Sequence, residues 1–144
     1  MNLHVSGTWF WANLLHPFVM FFYFGYSGYQ SGSEIFGVLF SIFLYSLIFS
    51  LPSLFISFIL IYLISRLPVS AVGKYFTWMI MAPAAIILNF LLIYLLVGGD
   101  IVFSDLQVAM PAMIAVIIII LIRYKQFLNV INQLKETKHE NNLV

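Results

Sequence analysis

The 144-residue chain contains no cysteine, and charged side chains make up only 8% of it. Without cysteine the chain has no disulfide, no thiolate metal site and no thiol nucleophile. At 63% hydrophobic residues, it carries far more apolar surface than a water-soluble domain of this length can hide. The scarcity of charge therefore predicts a membrane protein.

Basic residues are also few and dispersed, with a formal net charge of +1. A nucleic-acid surface needs clustered Lys and Arg, so no nucleic-acid partner is expected. The first basic residue of the chain is Arg66. Because a signal peptide begins with a basic segment, the early apolar run is predicted to be a retained membrane span.

Continuous apolar runs predict about four transmembrane helices, at residues 8–26, 35–65, 75–97 and 106–122. About 20 apolar residues cross a bilayer core of about 30 Å, and continuous rather than alternating runs favour helices over a barrel. The second run is too long for a straight span, and Pro52 near its middle predicts a bend. The predicted fold class is all-α: a single polytopic membrane domain over residues 1–144, with a cytoplasmic helical tail at 123–144.

The basic residues set the predicted orientation, because short cytoplasmic loops retain Lys and Arg. Arg66 and Lys74 fall between the second and third spans, and the other four basic residues follow the fourth span. The remaining two loops contain none. Both termini are therefore predicted to be cytoplasmic, in a multi-pass protein of the cell membrane, which is the inner membrane if the source is bacterial.

The predicted spans contain no Asp, Glu, Lys or Arg. Ion-coupled transporters and proton relays usually place such residues at depth, so their absence argues against these classes. The sequence also lacks a His and carboxylate pair within a span, metal-ligand spacing and a Gly-rich phosphate loop. It predicts no enzyme, no cofactor and no metal site.

Four serines of the second span, Ser46, Ser50, Ser53 and Ser57, recur at helical spacing within an arc of about 60°. Small residues let membrane helices approach and hydrogen-bond to each other, so the favoured interpretation is a packing face. The alternative is a hydrated path lined by hydroxyl groups. Asn89 of the third span is expected to donate its amide to one of these serines or to a carbonyl of the bent helix.

Small residues also share one face of each of the last two spans, and these faces are the predicted partners of the serine face. They are Ala82, Ala85 and Asn89 in the third span, and Ala109, Ala112 and Ala115 in the fourth.

Asn13 and His16 lie on one face of the first span. A histidine in hydrocarbon is a candidate for haem ligation, quinone contact or proton transfer. Because His4 and His139 lie outside the spans, two-histidine haem ligation would require a second chain. A structural, hydrogen-bonded His16 is therefore favoured over a ligand or cofactor site.

The tail residues Tyr124, Phe127, Ile131 and Leu134 follow the alternating spacing of a coiled coil. This pattern predicts that the fourth helix continues directly past the membrane to about Lys135 and associates with a second copy or a partner helix. The competing interpretation is an amphipathic helix lying on the bilayer.

Three functions remain open on the sequence alone. The first is a structural or assembly protein, either a homo-oligomer or an accessory subunit of a membrane complex. The second is a small pore or transporter for an uncharged solute, lined by the serine face. The third is a cofactor-binding or enzymatic membrane protein centred on His16.

Overall fold

The computed structural model describes residues 2–25, 32–97 and 107–141, and every regular element within those ranges is helical. The all-helical prediction is confirmed for this part of the chain. The helices are α1 (Asn2–Phe24), α2 (Gly32–Phe49), α3 (Leu51–Arg66), α4 (Ala71–Val97), α5 (Met110–Ile122) and α6 (Tyr124–Asn141). A short 3-10 helix, Gln107–Ala109, leads into α5.

Two of the described helices, Gly32–Phe49 and Ala71–Leu96, are long and apolar enough to cross a membrane. A third span exists if α5 and the first part of α6 together form one broken span. The apolar α3 is shorter than these candidates. The number of crossings and the side on which each terminus lies stay predictions.

The second apolar run is divided into α2 and α3 at Ser50. Pro52 stands in the first turn of α3, where the sequence predicts a bend. Since proline has no N–H, the carbonyl of Ile48 loses its helical donor there. The chain nevertheless stays close to helical, because Ser50 N donates to Ser46 O at 3.0 Å and Leu54 N donates to Ser50 O at 3.1 Å.

A sharper bend separates α5 from α6, whose axes differ by 65°. The expectation that the last helix directly continues the fourth span is therefore wrong, although the helix itself runs on to Asn141. The bend falls at Arg123. Tyr75 of α4 supports it, because its hydroxyl donates to the Ile120 carbonyl at 3.3 Å and its ring contacts that of Tyr124.

The apolar core lies at the end of the bundle where α1 and α4 begin and α3 and α5 end. Its buried members are Val5, Ile61, Ile64, Tyr75, Trp78, Ala82, Ile120, Phe127 and Ile131. Helix α1 packs mainly against α5, and α4 packs mainly against α3. Helix α2 packs against α1 but has no buried residue of its own. The bundle is thus tight at one end and looser around α2.

Candidate functional site

A cavity of about 440 Å³ lies among α1 to α5, at the looser part of the bundle. Ligand pockets commonly measure about 300–1,000 Å³ and are mostly apolar with a few polar groups. Most of the lining is apolar here as well. The polar lining includes all seven side chains that the sequence singles out in the spans: Asn13, His16, Ser46, Ser50, Ser53, Ser57 and Asn89.

Ser50, at the junction of α2 and α3, is hydrogen-bonded to α1. Trp9 Nε1 donates to Ser50 Oγ at 3.0 Å and to the Ser50 carbonyl at 3.2 Å. Ser50 Oγ in turn donates to Asn13 Oδ1 at 3.0 Å, and Asn13 Nδ2 donates to the Trp9 carbonyl at 2.9 Å. Both ends of the Asn13 amide are therefore engaged within the protein.

His16 and Ser46 form a second link between α1 and α2, with His16 Nδ1 and Ser46 Oγ 2.5 Å apart. The Ser46 hydroxyl also donates to the Ile42 carbonyl at 2.7 Å. A hydroxyl has only one hydrogen, so it accepts from His16. This arrangement assigns the proton of the neutral imidazole to Nδ1 and leaves Nε2 as an acceptor.

Asn89 joins α4 to the last turn of α2. Its Nδ2 donates to the Phe49 carbonyl at 2.9 Å, which is the bent-helix carbonyl that the sequence anticipates as one of its two possible partners. Since a carbonyl only accepts, this bond also fixes which end of the amide is the nitrogen. Asn89 is 6% exposed and is held among the helices.

Three residues that line the cavity carry a buried polar atom that has no partner in the part of the chain that the structure describes. These atoms are His16 Nε2, Asn89 Oδ1 and Trp78 Nε1. Leaving such a group unsatisfied costs about 1–3 kcal/mol. Trp78 was not singled out from the sequence, because nothing in the pattern distinguishes a cavity-lining tryptophan from a core one.

The small-residue faces of the last two predicted spans lie inside the bundle. Ala82 and Ala85 on α4 are buried, as are Ala109 and Ala115 at α5. Ala112 is half-buried and lines the cavity. Ala82, Ala109 and Ala112 line the same cavity as the four serines, so a cavity lies between these parts of the two faces.

The tail residues expected to meet another chain have partners in their own chain. Phe127 and Ile131 are 1% and 5% exposed and belong to the core cluster. The Phe127 ring contacts those of Tyr75 and His4, and Tyr124 contacts Tyr75. The side chain of Leu134, the fourth of these residues, lies outside the described part of the structure. The apolar periodicity therefore identified the buried face of α6, while the 65° bend directs that face onto α1 and α4.

A second polar cluster, which sequence reasoning missed, lies at the core end of the bundle. His4 is buried, and its Nδ1 has no partner in the described ranges of the chain. Burial and then the charge of Arg123 lower the pKa of His4 to about 4. The Arg123 guanidinium lies against Gly7 of α1, where an added Cβ would come within 2.7 Å of Arg123 Nη2. Glycine at this position lets the arginine approach the helix backbone.

No protein-family model, curated protein or solved structure matches the chain. Functional inference therefore depends on the geometry of the cavity and the chemistry of its lining.

Proposed function

We propose that the protein crosses the membrane four times, with both termini in the cytoplasm. The proposed spans are α1, the broken pair of α2 and α3, α4, and residues 106–122, which include α5. The fourth span needs residues beyond α5, because the 13 residues of this helix measure only about 20 Å. At about 1.5 Å per residue, the 23 residues of α1 measure about 35 Å, enough for one crossing with the first turn at the cytoplasmic surface. The positions of the basic residues support this orientation. Arg66, Lys74 and Arg123 lie at the end of the bundle where α1 begins. Helix α6 contacts α1 at the same end.

We further propose that the protein binds an uncharged, largely apolar small molecule within the membrane and serves as its carrier or transporter. The observation that carries this proposal is the cavity of about 440 Å³ and its mixed lining. None of the described lining residues is Asp, Glu, Lys or Arg. Burying a charged solute without a counter-charge is costly, so a neutral solute fits best.

The test is to identify the small molecules that co-purify with the protein in mild detergent, by extraction and mass spectrometry. A bound solute should appear in excess over the surrounding lipids. The variant Ala112→Phe places a ring in the cavity and should reduce the bound solute by about tenfold, which corresponds to about 1.4 kcal/mol.

The matched control is Ala84→Phe, which adds the same ring at an exposed position of α4. This variant should retain the solute. Equal amounts of co-purified solute in both variants and the parent protein would mean that the cavity is not a binding site. A folding defect is recognised separately, because a misfolded variant loses its thermal transition as well as its solute.

Assembly with other chains is a second candidate function. The observation that favours it is α2, which has no buried residue and carries exposed aromatic side chains, including Phe36 and Phe40. In this proposal α2 is the contact to a second copy or to a subunit of a larger complex. Because the chain has no cysteine, the single variant Phe40→Cys reports α2–α2 contact directly by disulfide cross-linking in membranes. Leu88→Cys on the exposed face of α4 is the control.

A further inference from the structure

We infer that the solute is a neutral amphiphile whose polar end is a hydrogen-bond donor such as a hydroxyl group, which lies between His16 and Asn89 and donates to one of them. This inference rests on the proposed binding function and specifies its chemistry. It follows from which atoms of the cavity lining are already used by the protein and which are not.

His16 presents an acceptor. The hydroxyl of Ser46 is committed to the Ile42 carbonyl, so His16 donates from Nδ1 to Ser46 and its Nε2 carries a lone pair. Nε2 is buried and has no partner among the described residues. A donor from a bound molecule would satisfy it.

Asn89 presents a second acceptor, because its nitrogen is committed to the Phe49 carbonyl and its Oδ1 has no partner within residues 2–25, 32–97 and 107–141. Ser46 and Phe49 are three residues apart and so share one turn of α2. His16 reaches this turn from α1 and Asn89 reaches it from α4. The two unused acceptors therefore belong to neighbouring parts of the cavity wall.

Trp78 Nε1, the third of the cavity-lining atoms named above, lies too far along α4 to contact the same hydroxyl group. Eleven positions separate Trp78 from Asn89 in the sequence, and at 1.5 Å per residue this is about 16 Å along the helix axis. A single hydroxyl group cannot contact both Trp78 and Asn89 across that distance. The polar end of the solute is therefore assigned to His16 and Asn89.

The lining argues against charged head groups and against a pure hydrocarbon. An ammonium group would be buried without a carboxylate among the described lining residues, and a carboxylate would face two acceptors. A pure hydrocarbon would leave both acceptors unsatisfied. A hydroxyl group satisfies one acceptor with its hydrogen, and its apolar chain fills the rest of the cavity.

The cavity also reaches the molecular surface along α2. Tyr45 and Phe49 line it and yet are 64% and 52% exposed. Helix α2 packs against α1, and Asn89 holds it to α4 at the level of Phe49. An apolar chain can therefore extend outward beside α2 while its hydroxyl stays inside.

The experiment compares four brominated probes with the same alkyl chain: bromodecanol, bromodecanoate, bromodecyltrimethylammonium and bromodecane. Bromine quenches nearby tryptophan, and both Trp9 and Trp78 line the cavity. The exposed Trp11 is replaced by Phe so that it does not contribute. Bromodecanol should quench in nanodiscs at a concentration about tenfold below that of each other probe, which corresponds to about 1.4 kcal/mol.

A variant carrying His16→Phe and Asn89→Leu should lose this preference while still binding bromodecane. If bromodecane and bromodecanol quench equally in the protein that retains His16 and Asn89, the hydroxyl assignment is overturned and the proposed apolar binding stands. If none of the probes quenches beyond a lipid-facing tryptophan peptide, both proposals fail. The probe series needs neither of the two cavity substitutions, so poor folding of the double variant would leave the comparison among the four probes intact.

Discussion

The Asn89 amide nitrogen lies 2.9 Å from the Phe49 carbonyl oxygen, and the two residues are 40 positions apart in the chain. Phe49 is the last residue of α2 and stands just before the break that Pro52 introduces. Close to a proline, a helix has carbonyls that lack their usual donors. Asn89 supplies one such donor from α4 and thereby fixes α2 at the edge of the cavity.

Replacing Asn89 with Ala should therefore destabilise the protein by about 0.6 to 1.7 kcal/mol, which are the average and the largest value measured for hydrogen bonds between membrane helices. The measurement is the unfolding transition in mixed detergent micelles. Leu88→Ala, at the neighbouring exposed position, should change stability by less than about 0.5 kcal/mol. Equal losses in the two variants would show that the Phe49 bond contributes nothing specific.

The side chain of Phe127 should contribute strongly to the stability of the single chain. It is 1% exposed, and truncation of a buried Phe to Ala typically costs about 3–5 kcal/mol. We expect Phe127→Ala to lower the thermal transition in detergent without changing the mass of the particle. Gln126→Ala, at an exposed position of the same helix, is the control. A smaller particle of unchanged stability would instead favour the coiled-coil prediction for this helix.

Acid should weaken the packing of α1 on α6 through His4. Its pKa of about 4 in the folded protein lies below the ordinary value of 6.5, so folding favours the neutral ring. The stability that the neutral His4 ring contributes to the folded protein is fully present above about pH 6.5 and is lost as the pH falls toward about 4. His4→Phe keeps a ring against Phe127 but cannot titrate. The thermal transition of the parent protein should fall more steeply than that of the variant over this window, and parallel curves would contradict the assignment.

The proposed topology predicts the location of reporters fused along the chain. A fusion after Val97, at the end of α4, should report the external side, and a fusion after Gln133 should report the cytoplasm. The concentration of basic residues at the other end of α4 is the physical reason. A cytoplasmic signal at Val97 would reverse the orientation, and a fusion after Gly25 tests whether α1 crosses the membrane.

Sequence patterns predicted the parts of this fold that local chemistry determines. Pro52 lacks the N–H that an unbroken helix would need at this position, so the break near it was foreseeable. The same holds for Asn89, since a buried amide in apolar surroundings must find a partner. Helical spacing also identified Phe127 and Ile131 as members of one apolar face.

What covers that face could not be predicted, because spacing identifies apolar positions but not the surface they meet. The bend at Arg123 determines which surface the apolar face of α6 contacts. It occurs without proline or glycine at that point, so the sequence contains no local signal for it. The cavity is a similar case. Ser46 and His16 each appear on a helix face, but the gap between helices depends on how far α2 stands from α4.

The two helix breaks obtain their donors from α4 at different times during synthesis. Tyr75 precedes Ile120 by 45 residues, whereas Asn89 follows Phe49 by 40 residues. Tyr75, the donor for the break between α5 and α6, is therefore in place before α5 exists. Asn89, the donor for the break between α2 and α3, is made after α2. At translation rates of about 5–20 residues per second, the Phe49 carbonyl waits about 2–8 s for Asn89. Until then only α1 holds the break, through Trp9 and Asn13 at Ser50 and through His16 at Ser46. The cavity therefore acquires its final walls only once α4 has entered the bilayer.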